Sequence, residues 1–211
     1  MNREQRLHAD EGIAIGPILF VVAILGILAA AIAAGSGSFT GSSSTEAART
    51  KAAALIQIGQ NLKVGADRLG GLGYDADSIN ISPTATTADN DLFSPSGGGV
   101  GAPSTTMADV PATDVWRYSH MAVTNMGTTA TELGAFLKVA LTVCDQINVK
   151  ANAISATAAS TAGLAADVGD LANDPSGAAA WPASLAGKPT GCLKGTGTST
   201  GYWFYQILMI R

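Results

Sequence analysis

Histidine and cysteine each occur only twice in the 211 residues, and charged residues make up only 13%. Each scarcity removes a class of function. With His8 and His120 as the sole imidazoles and Cys144 and Cys192 as the sole thiols, no zinc-ligand spacing can be written. Twelve Lys and Arg against sixteen Asp and Glu leave a net charge of −4. The basic residues are scattered and form no stripe, so the footprint of a nucleic-acid binder is missing. Ser119-His120 is the pairing that invites a catalytic reading, but no acidic orienter or oxyanion-hole motif accompanies it. Asp75-Ala76-Asp77 and Asp89-Asn90-Asp91 offer hard oxygen ligands without the spacing of a calcium loop, and surface turns use the same residue types. The Gly-rich run from Ser94 to Gly101 lacks the strand before it and the helix after it that a phosphate cradle requires. The expectation is a chain that is not an enzyme, with no catalytic residue, no metal and no cofactor.

What the sequence does contain is a long apolar run near its start. Gly12 to Ala34 carries no charge, and as a helix it would be on the order of 30 Å long, the thickness of a bilayer core. Arg3 and Arg6 precede it, whereas the first basic residues after it are Arg49 and Lys51. The positive-inside bias therefore places the N-terminus in the cytoplasm and exports the remainder. Two simpler readings use the same residues. Ala31-Ile32-Ala33 supplies an A-x-A pattern for a secretory signal peptide, although the run exceeds the roughly 7 to 15 apolar residues of an ordinary one. An uncleaved anchor would use Pro17 at its first helical position, where a missing N–H costs nothing.

The rest of the chain divides by composition. Residues 35–45 are dominated by Gly and Ser, poor helix formers, so the helix is expected to loosen or break there. Read from composition alone, that hinge is a bend in one helix or a flexible linker. Ser43-x-x-Glu46 has the form of a capping box and predicts a second helix start. From there Ala48, Ala52, Leu55, Gly59, Leu62, Ala66 and Leu69 make a heptad-spaced stripe that predicts one apolar face, with a coiled-coil dimer helix as an alternative that needs more heptads than these. Gly70-Gly71-Leu72-Gly73 predicts its end. Residues 74–114 read as mostly irregular. Residues 116–124 and 135–142 read as neighbouring antiparallel strands.

Val143, Ile147 and Ala151 on a four-residue beat predict a short helix carrying Cys144. Residues 155–180 read as a low-complexity loop with weak helix. Residues 202–210, YWFYQILMI, read as the strongest strand, central in the sheet and covered on both faces. In an exported head, Cys144 and Cys192 read as one disulfide, with two buried free thiols as the alternative.

Within the apolar run, Val21-Val22-Ala23-Ile24-Leu25-Gly26-Ile27-Leu28-Ala29-Ala30 closely resembles the VVAIIGILAA-like core of the N-terminal helix of type IV pilins and pseudopilins. Alignment on the valine pair puts the family's peptidase cut after Gly12, with Ile13 as the new N-terminus. The same alignment puts Pro17 where the family usually has a glutamate that pairs with a neighbour's terminal amine. Proline cannot supply that charge, and Glu11 lies on the wrong side of the cut. Members lacking this glutamate occur among minor, tip-located pseudopilins.

The resemblance implies an α+β fold, with an N-terminal hydrophobic spine helix packed on an antiparallel sheet head that carries a C-terminal disulfide-bounded loop. It divides the chain into a leader or cytoplasmic segment (1–12), a transmembrane or filament-core helix (13–34), the hinge (35–45) and an exported head (46–211). The function implied is that of a structural subunit of a type IV pilus-like or pseudopilus filament. Its partners would be further copies in a helical filament or related pilin subunits. It would reside in the inner membrane with an exported head and then at the cell surface. Phe20, Val21, Ile24, Leu25, Gly26 and Leu28 are the expected filament-core contacts. The alternative is a membrane-anchored or secreted exoplasmic binding domain that never polymerises.

Overall fold

The computed structural model describes residues 15–81, 87–109, 114–121, 123–127, 132–155, 165–167, 181–197 and 199–210; the side chains of 15–17, 33–43 and 165–167 are outside that description. Two compact units, Met1–Ser44 and Thr45–Arg211, divide the chain. Helix α1 (Ile15–Gly71) contributes residues to both. Residues 35–44 are helical, contrary to the expected break, and Ser43 is an interior helical position and not a cap. The physical reason is cooperativity. Gly and Ser cost up to about 1 kcal/mol each, but a weak stretch between two stronger helical segments needs no new nucleus. Glu46, read as half of a capping box, instead meets Arg49 one turn on.

In the second unit the stripe falls where its spacing placed it. Ala48, Ala52, Leu55, Gly59, Leu62, Ala66 and Leu69 are all buried. The helix stops in a Schellman arrangement: Tyr74 N–H donates to Leu69 O, Gly73 N–H donates to Gly70 O, and Gly73 takes φ +93°. Such a cap needs a residue at C′ that tolerates positive φ, which the Gly-rich stop supplies.

Among the described residues the sheet has five strands, in the order β1-β2-β5-β4-β3. β1 (Arg117–Met121), β2 (Glu132–Val139), β5 (Gly201–Met209) and β4 (Thr190–Thr196) form an antiparallel set, and β3 (Ala165–Asp167) joins β4 in parallel. β1 and β2 are the predicted neighbours, with β2 beginning and ending three residues earlier than expected. Leu141 and Thr142 belong instead to helix α2 (Leu141–Asn152), which carries Cys144. β3 lies inside 155–180, where the sequence suggested only loop and weak helix; the other residues from 156 to 180 are outside the described ones.

β5 is central, as its composition required. On one face an added Cβ at Gly59 of α1 would come within 3.0 Å of Phe204 and 3.1 Å of Gln206. On the other face Tyr205 meets Trp181 edge-on at 4.8 Å and donates its hydroxyl to Lys188 O. Both covers are therefore present, and apolar residues on both faces of β5 leave water. Because α1 approaches the sheet so closely at Gly59, Gly59→Leu should overpack that contact and destabilise the second unit by about 1–3 kcal/mol. Gly26→Leu, where an added Cβ meets nothing within 4 Å, should leave its denaturation midpoint unchanged; urea titration of both variants checks this.

Cys144 and Cys192 form a disulfide with 5.3 Å between their Cα atoms, a spacing typical of such bonds. Both residues are fully buried. The alternative of free thiols is thus excluded.

Candidate functional site

The first unit presents an apolar helical surface. Over the described side chains of α1 from 18 to 32, every large apolar residue is exposed, from 40% at Ile24 to 71% at Ile32. Phe20, Val21, Leu25 and Leu28 are all more than half exposed, and Gly26 is open on its Cβ side. The sequence explains why the residues point all round: apolar positions follow one another without the polar face that a surface helix needs. A contiguous apolar surface of this kind exceeds what a soluble monomer normally leaves uncovered.

Among the described residues no helix is long and apolar enough to cross a membrane. Their side chains cover fifteen positions of the apolar run, fewer than the about 20 a span requires. The rest of the run, including Gly12 and Ile13 at the expected processing point, lies outside the described residues or side chains.

The motifs weighed for other chemistry are occupied by structural contacts. In the Gly-rich run, Gly97 N–H donates to Ser94 O, Gly98 N–H to Asp91 O, Gly99 N–H to Ser94 O and Val100 N–H to Leu92 O. Donors already engaged by carbonyls do not cradle a phosphate. The two aspartate clusters are not convergent ligand sets: Asp91 is buried and accepts Phe93 N–H through Oδ1, an Asx turn, while Asp77 lies 3.5 Å from His120. That imidazole also sits 3.2 Å from Ala76 O, so it ties β1 to the loop after α1. The neighbouring Ser119 hydroxyl donates to His120 O at 3.4 Å. Among the described residues no three His, Cys, Asp or Glu side chains converge as metal ligands do.

Two features of the second unit escaped sequence reasoning. A groove of about 310 Å³ is lined by Ile58, Asn61, Leu62, Val64, Val100, Gly101 and Pro103. Its one signal in the sequence was Val64, an apolar residue off the buried stripe, and it is 65% exposed. The second feature is a pair of asparagines on α2. Asn148 is fully buried, donating Nδ2–H to Cys192 O at 2.7 Å and accepting Cys192 N–H on Oδ1 at 2.8 Å. Asn152 donates to Thr190 O at 2.9 Å. The spacing Cys144, Asn148, Asn152 on one helical stripe was the available signal.

Two phenols have perturbed protonation. Burial raises the pKa of both Tyr118 and Tyr205. Both therefore stay neutral at physiological pH, and neither is poised for proton transfer.

Comparison of the chain with protein-family models, with curated proteins and with solved structures gave no match.

Proposed function

We propose that the chain is a structural subunit of a type IV pilus-like or pseudopilus filament, assembling through the apolar N-terminal part of α1 and working by assembly, not by catalysis. The observation that carries the reading is the uncovered apolar surface from Ile18 to Ile32, taken with the pilin-like order of its residues. The uncharged run from Gly12 to Ala34 would hold the subunit in the inner membrane with its head exported, until packing against other spines removes that surface from both lipid and water. An α+β unit whose apolar helical stripe lies on an antiparallel sheet, closed by a disulfide near the C-terminus, is consistent with an exported head.

The alternative is a membrane-anchored or secreted exoplasmic binding domain. It is favoured by Pro17, which replaces the assembly glutamate, and by the apolar groove at Ile58 and Val64.

Mass spectrometry of the mature N-terminus and negative-stain microscopy of sheared cell-surface material separate the two readings. A start at Ile13 and filaments containing this chain are expected. A start at Ala34 or Gly35, or an intact Met1 without filaments, would favour the binding domain.

A further inference from the structure

Edge strands expose a ladder of backbone N–H and C=O groups that proteins cover or otherwise block. β4 uses one side to pair with β5 along six positions, Thr190 to Gly195. On its other side β3 begins only at Lys194. Among the described residues, no strand pairs with that outer side from Thr190 to Leu193. Helix α2 occupies the place. The side-chain amide of Asn148 meets both the N–H and the C=O of Cys192, and Asn152 meets the C=O of Thr190. Two asparagines thus take the role of a neighbouring strand's backbone. One turn before Asn148 on the same stripe, Cys144 is bonded to Cys192 itself.

We propose that α2 is a releasable cover over the β4 edge, latched by the Cys144–Cys192 disulfide, so that reducing this bond bares the backbone of Thr190–Cys192 while the antiparallel set stays folded. The chemistry needs a dithiol reductant. Its thiolate attacks one cysteine sulfur, breaking the S–S bond and forming a mixed disulfide; its second thiol then closes the reagent into a ring. The protein gains two electrons and two protons and ends with two thiols. The sheet survives because β4 keeps its ladder to β5, and the packing of α1 on β5 involves neither cysteine. Without the covalent link, α2 is held at this edge chiefly by three side-chain hydrogen bonds and its apolar stripe. Because both sulfurs are buried, reductant reaches them only through partial displacement of α2 about the intact link, and the reduction rate therefore reads how firmly the asparagine bonds hold the helix at the edge.

The test uses the full chain in detergent micelles, with dithiothreitol as reductant and alkylation mass spectrometry as readout. Asn148→Ala should accelerate reduction about tenfold, since it strands two buried backbone groups at once; Lys150→Ala, exposed on the same helix, should leave the rate unchanged. In the reduced protein, amide hydrogen exchange at Cys192 should rise at least tenfold more than that of amides in β2 and β5, which report only the change in global stability. Equal reduction rates for Asn148→Ala and wild type overturn the proposal. So does a Cys192 amide equally protected in both redox states, or protection that falls by the same factor at Cys192 and throughout β2 and β5 on reduction. Should Asn148→Ala fail to fold, Asn152→Ala, which removes a single bond to Thr190, is expected to give about threefold acceleration, and an unchanged rate counts against the cover.

Discussion

Ile24→Asp, in protein that still reaches the membrane, should abolish filaments. Pro17 offers no charge to a neighbour, so in the proposed assembly lateral contact rests on apolar matching among Phe20, Val21, Ile24, Leu25 and Leu28, with Gly26 letting helices approach closely. All these side chains are available, since each is exposed. A carboxylate at position 24 would lie in hydrocarbon or in a dry filament core, at a cost of about 3 kcal/mol per subunit on insertion scales. A polymer multiplies that cost over every contact, so the loss should be complete and not graded. Phe20→Asp should act in the same way.

Arg49→Ala is the contrast. Arg49 is exposed and pairs with Glu46 and Gln146 in the second unit, contacts worth about 1 kcal/mol or less, and filaments should persist. Fractionation establishes that each variant is inserted, and electron microscopy scores the filaments. Normal filaments from correctly inserted Ile24→Asp protein, or none from the wild type, would end the assembly reading in favour of the binding domain.

Replacing both cysteines with serine should lower the stability of the second unit by about 4 kcal/mol. The bond links residues 48 apart in sequence, and on the chain-entropy model a loop of that length gives this magnitude. For a unit of this size the loss corresponds to a fall of roughly 8–16 °C in Tm. Guanidinium titration and calorimetry of the serine variant against wild type measure it, while non-reducing peptide mapping should recover the segments around Cys144 and Cys192 as one linked species. Combining this change with Asn148→Ala should be non-additive, because both act on the attachment of α2 at Cys192. A variant within 1 kcal/mol of wild type would mean that the unfolded chain gains little freedom when the link is cut.

Local signals carried much of this fold. The heptad spacing from Ala48 to Leu69 selected the buried face of α1 residue by residue, and Gly73 supplied the positive φ on which its cap depends. Residues 202–210 announced a central strand because an edge strand or a half-exposed one could not afford so few polar positions. Local propensity misled at 35–44, where Gly and Ser argued for a break although a helix already formed on both sides has no second nucleation cost. It also failed for β3, whose Ala-Ala-Asp has no strand signature and is recruited by the edge of β4.

The amino-acid order by itself determined which segments are apolar enough to need covering: the exposed run on the first part of α1, the stripe on its second part, and both faces of β5. Hydrophobic periodicity is a property of neighbours along the chain, and it can be read there. Tertiary structure alone decided what covers the stripe and β5 and what seals the backbone. Asn148, polar and unremarkable in its own helix, becomes the bonding partner of Cys192 across 44 residues of chain. The Gly-rich run loses any capacity for phosphate because its N–H groups meet carbonyls within its own fold. Hydrogen-bond satisfaction depends on which donors and acceptors are brought together in space, and no pattern of local spacing specifies that.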